Sequence, residues 1–312
     1  QRTYTLVLPV LDLQTVEHLL PLAGTLARAH HGDILLLGVV QIDDDQSLTT
    51  GVVPAQRLRE ELNRITMQLP VPLRTNVRVA RTVYEGIRDA VREEHADLLV
   101  LGWQGAAFSP ERLFGPPIEQ LLSDPPCDLL VIKQTSATPA RRILLPTTGG
   151  PNLALSSEVA VALADDTDGS VTVLFATDPQ QRVDPAALQT TRELQKIARV
   201  NRWLERVSPA VPAILHEASN YDVVVLGATG RRFNPHQPVG PLGEAVLNET
   251  TNTVIITRHK LADAEQRAVE RFEAQRDLSA RVDKWFAENT FSGDEFADLQ
   301  HLMTLKRQLG VT

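Results

Sequence analysis

One apolar run occurs twice in this chain, and each time glycines follow it at the same offsets. Asp97-Leu-Leu-Val-Leu-Gly102 and Asp222-Val-Val-Val-Leu-Gly227 lie 125 positions apart; Gly105 and Gly115 follow the first, Gly230 and Gly240 the second. Both copies read G-x2-G-x9-G-P, three fixed glycines that chance rarely supplies. Leu6-Val-Leu-Pro9 is echoed by Ile143-Leu-Leu-Pro146, and Asp128-Leu-Leu-Val-Ile132 by Asn252-Thr-Val-Ile-Ile256. A chain with this pattern is expected to build one unit twice.

Within a copy, apolar runs of strand length alternate with helical patterns, the signature of βα units around a parallel sheet buried on both faces. In the first copy, strands are expected at Thr5 to Val10, Ile34 to Gln41, Asn76 to Arg81, up to Gly102, and at Asp128 to Lys133. Between them, Val16, Leu19, Leu20, Ala23 and Ala27 recur at helical spacing until Gly32 stops them. Leu58, Leu62 and Ile65 share a face of a helix over Pro54 to Gln68, and further helices are expected over Tyr84 to His95 and Pro116 to Ser123. The second copy follows suit: strands at Arg142 to Thr147, Ser170 to Thr177 and Arg202 to Val207, and helices at Asn152 to Asp165 and Ala186 to Ala198. It is about a dozen residues shorter ahead of its glycines, so one element is expected to be trimmed. The fold class is α/β, two tandem five-stranded, doubly wound, Rossmann-like domains at 1–138 and 139–260 with a helical tail at 261–312. Right-handed crossovers would set the ends of the first and fourth strands side by side, at the switch point where open α/β sheets bind ligands. In the tail, Asp263 with Gln266 and Ser292 with Glu295 resemble helix starts, and Leu278, Val282, Trp285 and Phe286 form a stripe. These helices would pack on the repeats, mediate a homodimer, or connect to a further domain.

Composition narrows the function. A net charge of −8 over 312 residues disfavours a nucleic-acid groove, which needs clustered cations, and no apolar run approaches the roughly 20 residues of a membrane helix. One cysteine, Cys127, permits no internal disulfide and suits a reducing, cytoplasmic setting. The chain opens at Gln1 without Met, a basic n-region or a signal-type apolar segment, which reads as a cut boundary or a processed end. The eight histidines are scattered and no metal-ligand spacing or nucleophile elbow occurs, so neither a metal site nor a catalytic residue is expected. The acidic run Asp43 to Asp45 reads as a solvated loop, with a cation near bound phosphates as the alternative.

Glycines after a strand let backbone amides approach an anion, and the third glycine opens a helix whose N-terminus adds partial positive charge. The motif is therefore a candidate phosphate cradle; it lacks the lysine of a P-loop, so Walker-type hydrolysis is not indicated. On these residues, Leu8-Pro9-Val10, Leu145-Pro146-Thr147 and the two G-x2-G-x9-G motifs, the chain resembles a tandem universal stress protein. The resemblance implies a regulatory protein that binds ATP or AMP, with Mg2+ as companion to the phosphates. Carried over by position, it places a second-copy site at Thr147, Thr148, Ala176, Gly227, Thr229, Gly230, Arg231 and Gly240, and a first-copy site at Val10, Val40, Gly102, Gly105 and Gly115. Pro116 and Pro241 replace the family's hydroxyl residue and remove an amide donor each. The first copy also carries Pro117 and bulky Trp103, whereas the second has Ala228, Thr229 and the cations Arg231 and Arg232, making it the better nucleotide candidate. Asp12 lies one residue late for the family's aspartate. Pro9 to Ala29 and the Thr148 to Asn152 loop are similar to stress-protein domains attached to amino-acid permeases, and Trp285 to Arg307 to the stretch before glucosyl-3-phosphoglycerate synthase-type glycosyltransferase domains. A transporter or glycosyltransferase is thus the implied fusion partner; the rival expectation is a nucleotide-free scaffold or dimerisation module.

Overall fold

Strands that read as unbroken apolar runs end up in the middle of a sheet covered on both faces, because each side of the pleat then needs an apolar side chain. In the computed structural model this holds for Leu98 to Leu101: Leu98 and Val100 join one buried cluster, Leu99 and Leu101 the other. The structure describes residues 3–66, 72–105, 107–109, 112–134, 139–147, 149–177, 192–207, 209–228 and 237–261. The elements are β1 (Thr5–Pro9), α1 (Leu13–Ala29), β2 (Asp33–Gln41), α2 (Val52–Thr66), β3 (Leu73–Ala80), α3 (Val83–Glu93), β4 (Leu98–Trp103), α4 (Pro116–Ser123) and β5 (Asp128–Lys133). They continue with β6 (Arg142–Pro146), α5 (Leu153–Thr167), β7 (Ser170–Thr177), β8 (Val200–Val207), α6 (Ala210–Ala218), β9 (Val223–Gly227), α7 (Gly240–Glu249) and β10 (Thr253–Arg258).

The ten strands form one sheet in the order β3-β2-β1-β4-β5-β10-β9-β6-β7-β8, which reads alike from either edge once each half is numbered from its own first strand. Neighbours run parallel except β5 and β10, which meet antiparallel with Ile132 opposite Ile255 and Val131 opposite Ile256. The described residues up to Lys260 belong to one compact unit. Both large buried clusters draw on both halves. One lies under α3, α4, α6 and α7; the other lies under α1 and α5. Polar ties cross the seam. Lys133 Nζ donates to the carbonyls of Leu247 and Thr250 at the end of α7, at 2.5 and 2.8 Å, and Lys260 N donates to Asp128 Oδ1 at 2.8 Å. On the opposite face, Asp166 at the end of α5 accepts from Thr25 and Arg28 of α1.

The switch-point geometry expected from crossover handedness is present: β1 pairs with β4 and β6 with β9. Several element expectations need correction. The second half keeps all five strands, and its shortening falls between β7, ending at Thr177, and β8, starting at Val200; in the first half, β2 ends at Gln41 and β3 starts at Leu73. The helix expected over Ala186 to Ala198 lies outside the described residues up to 191; beyond them Leu194–Lys196 form a 3-10 turn and Ile197 is extended. Helix α6 has no counterpart in the sequence reading. After α1 the left-handed residue is His31, φ 53°, not Gly32; Gly32 is required because a Cβ there would sit 2.3 Å from the Tyr4 carbonyl oxygen. The tail expectations, from Asp263 to Met303, lie outside the described residues.

A seam made of buried β-branched residues carries a prediction. A fragment ending at Gln134 leaves the β5 edge unpaired between apolar rows headed by Val131 and Ile132, both fully buried in the whole chain. It is expected to self-associate or precipitate. Light scattering that finds a stable monomer would show the seam to be dispensable.

Candidate functional site

The first crevice opens where β1 and β4 part. It has a volume of about 320 Å3 and runs between Pro9, Thr15, Leu19, Gly102, Phe108 and Gly115, among others. Of the five first-copy candidates the structure brings Gly102 and Gly115 to it. Gly105, φ 86°, turns the chain beside Lys133. Val10 and Val40 instead pack on the cluster that α2 builds with Ala55, Leu62 and Val77. The physical reason is that α2 carries enough apolar surface to cover the ends of both strands.

The first glycine of each motif has a packing duty. A Cβ on Gly102 would come within 2.3 Å of Thr15 Cγ2 and 2.7 Å of Leu19 Cδ1; one on Gly227 would meet Asn152 Cβ at 2.7 Å. Close approach of α1 and α5 to their strands thus explains both positions without a ligand.

The first cradle is poor in amide donors. Gly115 caps α4, and the next two residues, Pro116 and Pro117, carry no N–H. The amides of Ile118 and Glu119 both point back to the Gly115 carbonyl, at 3.1 and 3.2 Å. At the mouth, Asp12 caps α1: its Oδ2 accepts from Thr15 N and Thr15 Oγ1, each at 2.8 Å, and from Gln104 Nε2 at 3.0 Å. The Thr15 backbone amide, then its hydroxyl, hold this carboxyl below the usual aspartate range, so it is anionic at neutral pH. Among the described residues no lysine or arginine lines the crevice. Trp103 lies buried edge-to-face on Phe114, 5.3 Å between ring centres. The sequence reading missed the Asp12 and Gln104 bridge; the Asp-x-x-Thr spacing ahead of an apolar stripe was its available signal.

In the second half, the loop after β6 is closed by its own bonds. Thr147 N donates to the Leu174 carbonyl at 2.9 Å, and Gly149 N donates to Thr147 Oγ1 at 3.0 Å. Ala176 lies near the end of β7, opposite Arg206. Gly227 ends β9, and Gly240, φ 76°, opens α7 ahead of Pro241. Thr148, Thr229, Gly230 and Arg231 lie outside the described residues. The buried side chain of Asn152 packs against Gly227: its Nδ2 donates to the Ala228 carbonyl at 2.7 Å and its Oδ1 accepts from His259 N at 2.8 Å. Asn152 was read only as a helix start; nothing in the sequence signals that it ties β9 to β10.

Helices α4 and α7 carry equivalent carboxylates, Glu119 and Glu244, each four residues after its motif glycine. Glu119 is buried and chelated by Arg112. Among the described residues the matching partner of Glu244 is only Gln237, at 3.3 Å, and Glu244 Oε1 is buried without a hydrogen bond. Burial above all raises the Glu244 pKa; the Gln237 amide works against this and the Glu119 charge adds to it. With the folded pKa above the unfolded value, the ionised form costs stability above that range, and the cost disappears as pH falls below the unfolded pKa. Glu244→Gln is therefore expected to raise unfolding stability at pH 7 to 8 by less than about 1 kcal/mol given the partial exposure, seen as a higher melting temperature, and to bring no gain at pH 3. Equal gains at both pH values would assign the effect to packing. Burial likewise pushes the Cys127 thiol up to about 12, which suits a buried core residue and not a nucleophile.

Residues 4–133 match the model of the universal stress protein family, so the first half contains one such domain. A curated relative, the Na(+)/H(+) antiporter NhaS5 of Synechocystis sp., is 24% identical over 267 residues, 81% of this chain and 38% of the antiporter. This chain thus spans well under half the length of that relative. A universal stress protein of Archaeoglobus fulgidus aligns over 82% of this chain and 98% of its own, with TM-score 0.61 and 15% identity. The cytoplasmic domain of a prokaryotic cation chloride cotransporter aligns over 82% of this chain and 96% of its own, with TM-score 0.50 and 14% identity. Among the described residues no helix is long and apolar enough to cross a membrane.

Proposed function

We propose that this chain, with its universal stress protein domain at 4–133, is a non-catalytic regulatory module. In this reading its two halves, 1–138 and 139–260, are a tandem pair of such domains joined through β5 and β10; the second half takes ATP or AMP, and the pair reports occupancy to an attached transport protein. The tandem reading is supported by the mirrored strand order. The transport partner is supported by the likeness to an antiporter of which this chain spans only part.

The observation that carries the choice of half is the asymmetry of the glycine motifs. The first crevice has a carboxylate at its mouth, two prolines at its helix start and, among the described residues, no basic lining residue. The second motif carries Arg231 and Arg232 and only one proline, Pro241, at its helix start. Calorimetry on the whole chain is expected to show one equivalent of ATP or AMP, and the double substitution Arg231→Ala with Arg232→Ala to weaken it about tenfold or more. If neither nucleotide bound the parent chain, this reading would fail.

A second reading, a nucleotide-free scaffold, is favoured by Asn152, whose side chain packs against Gly227 and is held at both ends. Light scattering that gives one oligomeric state with and without ATP, together with calorimetric silence, would select it.

A further inference from the structure

The first crevice has the wrong chemistry for a polyphosphate and the right chemistry for the opposite charge. We propose that it binds a small organic cation, an ammonium group carried on an apolar or aromatic body. Its volume of about 320 Å3 sits at the low end of the roughly 300–1,000 Å3 typical of small-molecule sites. Its wall is apolar, formed by Leu11, Val16, Leu19, Phe108 and Leu113. Leu11 and Phe108 are 45% and 60% exposed, although most large apolar side chains of the described chain are buried, so the mouth holds apolar surface that water leaves uncovered.

Charge then decides between ligands. Among the described residues Asp12 is the one ionised side chain in the lining, its Oδ2 held by Thr15 and Gln104. The stretch 104–115, of which Gln104, Phe108, Leu113 and Gly115 line the crevice, contains a single cation in its sequence, Arg112. Its guanidinium lies 5.9 Å from the centre of the Phe108 ring and is paired with Glu119, so it brings no unbalanced positive charge. Further along the same end of the sheet, Asp43, Asp44 and Asp45 follow β2, with Arg81 donating to the Asp43 and Gln46 carbonyls. Three carboxylates against the single Arg81 there favour cations over phosphates. The exposed Phe108 ring offers aromatic surface to an ammonium ion. This inference does not rest on nucleotide binding by the second half.

The test uses the whole chain and three probes of one shape: phenethylammonium, neutral 2-phenylethanol and anionic 3-phenylpropionate, each titrated by calorimetry. Phenethylammonium is expected to saturate a single site. An exposed carboxylate contributes modestly, so the neutral probe should bind about three- to tenfold more weakly and the anion more weakly again. Asp12→Asn, which keeps a competent helix cap and so keeps the fold, should bring the ammonium down to the level of the neutral probe while leaving the neutral probe unchanged. Phe108→Ala should weaken all three. ATP should not displace the ammonium. The proposal is overturned if phenethylammonium shows no saturable binding at millimolar concentration, if the anion binds as well as the cation, or if folded Asp12→Asn binds the ammonium as the parent does.

Discussion

Phe114→Ala is expected to lower unfolding stability by about 3–5 kcal/mol, the range for emptying a buried phenylalanine site. Phe114 precedes the third glycine of the first motif, is 0% exposed, and lies in the cluster that includes Leu101, Trp103 and Ile118. Its edge-to-face contact with Trp103 adds about 0.5–1.5 kcal/mol beyond area burial, and that is lost together with the cavity term. Because this cluster continues into α6 and α7, the loss should appear in the transition of the whole 1–260 unit and not as early melting of one half. Urea unfolding followed by tryptophan emission measures it. Phe114→Leu, which keeps most of the volume, should cost much less. A loss under about 1 kcal/mol for the alanine variant would mean that the glycine loop does not anchor on this ring.

Asn152→Ala is expected to cost about 2–4 kcal/mol, since it strands two bonded backbone groups in a buried setting. The residue sits at the cap position of α5 but makes no capping bond there; its amide serves Ala228 and His259 instead. Asp is as good a helix cap as Asn, so a capping role would make Asn152→Asp silent. The structure predicts otherwise: a carboxylate has no hydrogen to give the Ala228 carbonyl, and it brings charge to a buried site. Thermal unfolding of both variants distinguishes the roles. A harmless aspartate would sink the bridging account. The alanine variant also removes the amide beside Gly227 without changing the Cβ contact, so any rise in nucleotide affinity would be read against its lower stability.

The glycine offsets were legible as a repeat but not as to purpose. Gly102 and Gly227 stand where α1 and α5 press on the sheet, and such contacts depend on side chains such as Leu19 and Asn152 that no spacing rule connects to them. Val10 and Val40 were carried over as site residues; the structure sets them under α2, because apolar side chains at strand ends serve a core as readily as a ligand. The prolines after Gly115 could be read from sequence as two missing donors. That the next two amides, Ile118 and Glu119, turn back to the same carbonyl could not.

Order along the chain determined the strands and most helices, because burial on both faces demands unbroken apolar runs and helical burial demands a recurring stripe. It also led to the expectation that β1 would adjoin β4, since crossover handedness leaves little choice. Only the tertiary structure decided that the halves join edge to edge through β5 and β10 into one sheet with shared cores, and that an aspartate stands at the first crevice and an asparagine against Gly227. Those outcomes turn on contacts between residues some 75 to 125 positions apart, whose partners are selected by shape and polarity in three dimensions and leave no periodic trace in one.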